Sequence, residues 1–325
     1  MVGTMYSPKT LVDPAILKAL PKGSVVVNVI NHGKTNWAKG FKVEVETPNG
    51  QEKAYFLKIM DRESALEMAT GEFESLVAMR QYIPNNVAKA VGVGPLEDDC
   101  TKSYFIVEFK NMRPEKPSPQ TLAAVLSKMH QTSESPTGAF GFPVPTYKGY
   151  FRVNNNWCEK WEDWFSREFR QTVQNYCSRR GPDPELAELF EEFSAKVIPR
   201  LLRPLETGGR HIKPTLCHSD LWHGNAALDL ETQECIIFDP CLDLSYFRGE
   251  RSGWSYEYIE EYVKLVQPSE PREDFDDRNA LYVMRNHIVS ASLWDHWLYI
   301  MDNVKDEMRR LLAKHPDGFA GFKET

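Results

Sequence analysis

A chain of 325 residues has room for one large two-lobed domain or two modest ones, which excludes a mini-protein stapled by disulfides. At 42% hydrophobic and 26% charged, it has enough apolar material for a sizeable core, so long disorder is excluded too. The net charge of -7, from 39 basic and 46 acidic side chains, supplies no field to gather nucleic acid or an anionic membrane and favours a small-molecule or protein-borne substrate.

The six cysteines are scattered without a C-x-x-C pair and read as reduced thiols. Residues 1–9 show no secretory pattern, and no apolar run reaches the roughly 18 residues of a membrane span. A cytoplasmic, monomeric protein is expected.

In chain order, residues 25–30 are β-branched, residues 41–47 alternate apolar and polar, and Pro48-Asn49-Gly50 is a turn before the apolar run 54–60. Three antiparallel strands follow from this. Between the first two, His32 and Gly33 lie in the stretch Asn31 to Trp37, which can turn over phosphates but matches neither G-x-G-x-x-G nor a Walker A pattern. Lys58 is the lone charge in its strand, and burying an ammonium without an anion is costly.

From 62 to 82, Leu66, Ala69, Phe73, Leu76 and Val77 recur at helical steps, predicting a helix ended by Pro84. Glu72 shares a face of that helix with Met68, Ala69, Leu76 and Met79 and can hold Lys58 against nucleotide phosphates. Glu74 is the competing partner, and a Lys58 snorkelling from an edge strand is the structural alternative. Gly92-Val-Gly94-Pro95 reads as a turn, and residues 104–109 as another strand.

A Pro-rich stretch (Pro114, Pro117, Pro119) places a lobe boundary after Asn111, giving lobes 1–111 and 112–325. Helical patterns then run through Leu122 to Met129, Trp157 to Phe169, Pro184 to Leu205 and Asp276 to Met308, with a β-rich island at 215–239. The stripe Trp157, Trp161, Trp164, Phe165 reads as helix core rather than as a base-stacking platform.

The most informative stretch is Cys217-His-Ser-Asp220-Leu-Trp222-His-Gly-Asn225, followed by the strand ending at Asp239. Phosphoryl transfer needs such a layout: one carboxylate accepts the proton of an attacking hydroxyl, while Asn225 and Asp239 offer oxygens to Mg²⁺. An ordinary polar turn between two strands is the alternative. His218, Asp220 and His223 also suggest a metal, but H-x-D-x-x-H on a loop lacks the helical geometry of a zinc hydrolase.

Together these residues resemble the fructosamine-3-kinase (ketosamine-3-kinase) family of the aminoglycoside phosphotransferase-like kinases, with segments similar to a fungal member. His218-Ser-Asp-Leu-Trp-His-Gly-Asn225 resembles the family's H-G-D-L-W-x-G-N, and Phe238-Asp239-Pro240 its metal-binding D-P. Tyr55-Phe-Leu-Lys58 with Thr70-Gly-Glu72, Ser135 to Phe142 and Trp157 to Phe165 are similar to further family segments.

The resemblance implies an α+β, protein-kinase-like two-lobe fold: a small antiparallel-sheet N-lobe with one helix, a larger mainly helical C-lobe, and ATP between them. It implies ATP- and Mg²⁺-dependent transfer to the 3-hydroxyl of a ketosamine, as a small molecule or on a glycated protein lysine. Lys58 would grip the phosphates and Glu72 orient it; Asp220 would be the base, Asn225 and Asp239 the metal ligands, and Trp222 part of the sugar pocket. The backbone of Glu108, Phe109, Lys110 and Asn111 would meet adenine.

Three departures stand out: Ser219 replaces a glycine, the acceptor segment after Asp239-Pro240 is reduced to Cys241-Leu-Asp243-Leu244, and the phosphate turn lacks the family's cysteine. The alternatives are another small-molecule kinase, a catalytically weak ATP-binding relative, and the metal hydrolase.

Overall fold

The computed structural model describes residues 12–113, 115–239, 247–248 and 253–323. Contacts gather the chain into two units: one runs to Met129 and adds 144–152 and 218–241, and the other holds 130–143, 153–217 and the chain from 242 on.

In the first unit, helix α1 (Pro14–Ala19) starts at Asp13, whose side chain accepts the Ala15 N–H. It leads to β1 (Val25–Lys34), β2 (Ala38–Glu46), β3 (Glu52–Asp61), helix α2 (Ala65–Tyr82), β4 (Ala90–Pro95) and β5 (Lys102–Glu108). The five strands form one antiparallel sheet in the order β1-β2-β3-β5-β4. The β2–β3 turn closes through the Gly50 N–H donating to the Thr47 carbonyl at 2.8 Å, with Gly50 at φ 75°.

Because side chains alternate along a strand, Tyr55 and Leu57 of β3 face a core with Val43, Ile106 and α1's Ile16, while Lys58 and Met60 point to the other face, where α2 packs. Helix α2 stops where expected: the Ile83 N–H makes the last bond, to Met79, and Pro84 cannot continue the ladder.

Beyond the sheet come β6 (Met112–Arg113), α3 (Pro119–Thr132) and a hairpin of β7 (Thr146–Lys148) and β8 (Phe151–Val153). Strands β9 (Ala226–Asp229) and β10 (Cys235–Ile237) pair with β6 in a three-stranded sheet ordered β10-β9-β6. Asn86 ties this sheet to the end of α2, donating from Nδ2 to the Cys235 carbonyl at 2.9 Å and accepting the Ile237 N–H at 2.8 Å. These bonds explain why 218–241 groups by contact with the chain before Asn111.

The second unit is helical: α4 (Trp161–Arg180), α5 (Pro184–Leu202), α6 (Glu257–Leu265), α7 (Phe275–Leu293) and α8 (Ile300–Lys314). Its core includes the fully buried Phe165, Phe169, Phe193, Leu281, Ile288 and Met308, each worth about 1.5–3 kcal/mol on removal from water. Asp183 caps α5 by accepting the Leu186 N–H at 3.0 Å, with Pro184 in the first turn.

Four expectations change in detail. Gly92 to Pro95 is an edge strand, β4, not a turn; two glycines and a proline suit an edge whose outer groups need no partner. Trp157 precedes α4, because Phe140 and Cys158 exchange backbone hydrogen bonds of 2.8 Å and hold the chain extended there. The pattern from 276 to 308 splits into α7 and α8 where Trp294 turns extended (φ -132°, ψ 125°). Within the island at 215–239 only β9 and β10 are strands, and the chain before Asp220 is irregular.

In this second unit the buried Asp277 accepts from Arg310 Nη2 at 3.0 Å, Lys314 Nζ at 2.6 Å and pairs with His315 Nε2 at 3.2 Å. Burial raises its pKa, but hydrogen bonds from His315, Lys314 and Arg310 outweigh that and hold it well below the usual carboxylate range. A depressed pKa gives stability that is present above the unfolded value and fades as pH falls below about 4 toward the folded value. Asp277→Asn is therefore expected to cost about 1–3 kcal/mol at neutral pH and to flatten the acid limb of a denaturant-midpoint titration. An acid limb as steep as in the wild type would show that other carboxylates carry it. Among the described residues, no helix is long and apolar enough to cross a membrane.

Candidate active site

Lys58 lies on β3, opposite Phe105 of β5, with its ammonium 5.7 Å from the Phe105 ring centroid. It is buried, and its Nζ donates to both oxygens of Glu72, at 2.8 and 2.7 Å, and to Asp239 Oδ1 at 3.1 Å. The competing Glu74 has no hydrogen bond to Lys58 among the described residues. Burial pulls the lysine's pKa down, yet Asp239 and Glu72 together raise it above its ordinary value, so it stays an ammonium. Glu72 is pushed up to about 7, first by burial, against the pull of Lys58 and with the repulsion of Asp239 added. Asp239 moves down: desolvation opposes its charge although the side chain is 44% exposed, and Lys58 overcomes it. One cation thus serves two carboxylates.

The loop that carries Asp220 is anchored by its neighbours. His218 and Leu221 are buried, and the Trp222 N–H donates to the Asp220 carbonyl at 2.9 Å. Ser219 sits in the left-handed region at φ 71°, a conformation glycine adopts without strain. A 3-10 turn at His223–Asn225 then enters β9.

Asn225 joins the parts. Its Nδ2 donates to the Asp220 carbonyl at 2.8 Å, to Asp220 Oδ2 at 3.1 Å and to the Asp239 carbonyl at 3.1 Å, and its own carbonyl accepts the Phe238 N–H at 3.0 Å. Because these side-chain bonds all use the amide nitrogen, the amide oxygen is not spent on them. Asp239 follows β10 at φ 61°, a second left-handed residue beside the first carboxylate. Trp222 is exposed, and its indole lies over Gly224, where any Cβ would collide with the ring. Gly224 was invisible as a site residue because its role, making room for an aromatic ring, leaves no periodic trace.

At the end of β5, the Phe109 N–H donates to the Ala54 carbonyl at 3.0 Å and the Asn111 carbonyl accepts from Leu230 at 2.8 Å. The Glu108 N–H donates to Lys89 at 2.9 Å. Neither the Glu108 carbonyl nor the Lys110 N–H is used by those bonds. His32 packs edge-on against Phe56 and Phe109, at 6.0 and 5.1 Å between centroids, and it and Gly33 lie in the last residues of β1 rather than in the turn expected over Asn31 to Trp37, so the end of β1 is beside this stretch. Gly33 takes φ 117°, and its N–H bonds the Asn31 side chain at 3.1 Å.

The metal-hydrolase alternative gains nothing. His218, Asp220 and His223 do not bring three ligand atoms together; among the described residues that occurs at Asp274, Asp277 and His315. Those acids are already held by Arg200, Arg310 and Lys314. Pro240 and the shortened stretch at Cys241, Asp243 and Leu244 lie outside the described residues.

The sequence pattern of the family described as fructosamine kinase matches residues 29–313. Ketosamine-3-kinase of Mus musculus is 26% identical over 270 residues, 74% of this chain and 82% of that protein. Chloroplastic protein-ribulosamine 3-kinase of Oryza sativa subsp. indica is 24% identical over 294 residues, 88% of this chain and 80% of that one.

A crystal structure from Thermobifida fusca, provisionally named fructosamine-3-kinase, superposes with a TM-score of 0.71 at 17% identity, over 92% of this chain and 98% of the other. Aminoglycoside phosphotransferase APH(4)-Ia, solved with AMP-PNP and hygromycin B, gives 0.53 at 11% identity, over 89% and 94%. At such identities the structures speak for the fold alone, which is that of the aminoglycoside phosphotransferase-like kinases. The pattern match over most of the sequence settles the rest: the chain belongs to the fructosamine kinase family.

Proposed function

We propose that the protein is an ATP-dependent kinase acting on the 3-hydroxyl of ketosamines, with Asp220 as base. The observation that carries this is the linkage of Lys58, Glu72 and Asp239 through one ammonium, with Asn225 bonded to both Asp220 and the Asp239 backbone. A buried lysine fixed by a glutamate is suited to gripping phosphate oxygens, and a carboxylate on the adjoining loop is suited to taking a proton.

In the reaction, the acceptor hydroxyl oxygen forms a bond to the γ-phosphorus as the bond to ADP breaks, and the hydroxyl proton passes to the Asp220 carboxylate. Lys58 holds the phosphates in line, and Glu72 keeps Lys58 from collapsing wholly onto Asp239. The Asn225 amide oxygen and the Asp239 carboxylate fit a hard cation and would hold Mg²⁺, which when bound offsets charge on the phosphates. The Glu108 carbonyl and the Lys110 N–H supply one acceptor and one donor for an adenine edge, with His32 and Gly33 at the end of β1 beside them. Trp222, exposed and held by its contact with Gly224, offers a flat face to a sugar.

The names of the relatives and the family support a small or protein-borne ketosamine as acceptor, and a cytoplasmic monomer is the setting proposed for it. The functional boundary proposed after Asn111 separates ATP-binding chain from catalytic and acceptor-binding chain, which also carries the metal ligands Asn225 and Asp239.

Phosphate placed at C3 of a ketosamine lies next to the C2 carbonyl. Loss of a C1 proton then expels it, leaving a free amine after hydrolysis. Incubation with ATP, Mg²⁺ and ribulosyl- or fructosyl-lysine is expected to give a transient 3-phosphate, then lysine and inorganic phosphate, with no turnover of choline, homoserine or kanamycin. ATP use with one of those three alcohols and with neither ketosamine would replace this reading by a different small-molecule kinase.

A further inference from the structure

Helix α2 presents two working faces within the first unit. Met68, Glu72 and Met79 turn to the sheet, where Glu72 reaches Lys58. Glu67 and Gly71, one turn apart, meet residues that lie some 80 positions later in the chain.

The Glu67 carboxylate accepts from the Tyr147 hydroxyl and takes Arg152 side-on, Nε at 2.7 Å and Nη2 at 3.2 Å. That fork is planar and holds direction as well as distance. Burial pushes the Tyr147 phenol up to about 12, with Glu67 adding to it, so the hydroxyl remains a donor at neutral pH. One turn on, a Cβ at residue 71 would stand 2.5 Å from the Pro145 carbonyl oxygen, so backbone lies against backbone there because residue 71 is glycine. Just ahead of the helix, the Arg62 guanidinium lies 6.0 Å from the Tyr150 ring centroid.

The segment that makes these contacts adds nothing to the five-stranded sheet. Its two three-residue strands pair with each other alone, too short a ladder to stand by itself. Its contacts fall on the helix flank next to Glu72, at the residue before it and one turn earlier still. A shift or rotation of the helix at those two points would carry Glu72 with it.

We propose that the β7–β8 hairpin is a brace for α2, and that Tyr147, Arg152 and Gly71 are positioning residues that set the Lys58–Glu72 pair for nucleotide phosphates. The proposal rests on the ATP-binding reading above, and it is tested by nucleotide binding rather than by ketosamine turnover. Equilibrium binding of ATP with Mg²⁺ is measured for the full chain, for Tyr147→Phe/Arg152→Ala, for Glu72→Ala and for the three changes combined.

The double variant is expected to bind about three- to tenfold more weakly than wild type. In the Glu72→Ala background the same two changes are expected to cost nothing more, because the brace acts only through Glu72. Arg152→Lys with Tyr147 intact should fall between wild type and the double variant, because lysine keeps the charge but loses the fork, a graded loss that a general failure to fold would not give. If the double variant does not fold, the cycle is run with Tyr147→Phe alone, with about a twofold effect expected. Equal losses with and without Glu72, or no loss in a folded variant, overturn the brace alone. A wild-type chain that binds no ATP overturns the kinase reading and the brace with it.

Discussion

Asp220→Asn is expected to lower kcat by about 10² to 10⁴, the usual worth of a positioned general base, while the affinity for ATP stays near wild type. The substitution is nearly isosteric, and the structure shows why it should leave the loop in place. The bonds to its carbonyl from Asn225 Nδ2 and the Trp222 N–H, and the one its own N–H donates to His218 Nδ1, use the backbone, while the bond from Asn225 to its side chain needs only an oxygen, which asparagine keeps. What disappears is the capacity to take a proton. The defect should therefore appear in kcat and in kcat/KM for the acceptor, with KM for ATP little changed. Steady-state kinetics at saturating ATP separates these, and retention of most of the turnover would assign the base elsewhere.

The parts of this site that could be read from sequence are those in which a residue type conflicts with its surroundings. Lys58 was legible because it is a lone charge in an apolar strand and must find an anion, and Glu72 because it sits on the inward face of the next helix. The structure pairs them at 2.7 Å. Asp220, Asn225 and Asp239 were legible by spacing, since a short hairpin returns the chain to the loop it left.

What was not legible depends on tertiary contact. Strand β4 has the composition of a turn and is held as a strand by β5. The three-residue strands β7 and β8 carry no period that can be recognised over so few residues. Gly71 and Gly224 matter for what a side chain there would strike, Pro145 in one case and Trp222 in the other. Ser219 departs from the motif it resembles, but its left-handed backbone, a conformation that suits glycine, is a property of the folded loop.

Lys58→Ala is expected to lower kcat/KM for ATP by about 10² to 10³, the range found when one preorganised group facing developing charge is removed. Lys58 is the cation between Glu72 and Asp239, so its loss leaves two neighbouring carboxylates without their shared counter-ion. Glu72, already pushed up to about 7, can relieve the repulsion by holding a proton, and for this reason the variant should fold. Glu72→Ala is the milder change, about tenfold by the same scale, because the lysine keeps its bond to Asp239 while losing the partner that draws it away.

Combining the two should cost clearly less than their sum, since Glu72 has nothing to orient once Lys58 is gone. Glu74→Ala should sit near wild type. If Glu74→Ala is the more damaging of the two glutamate changes, or if the Lys58 and Glu72 effects add in full, the glutamate does not act through the lysine and the phosphate grip must be sought in another side chain.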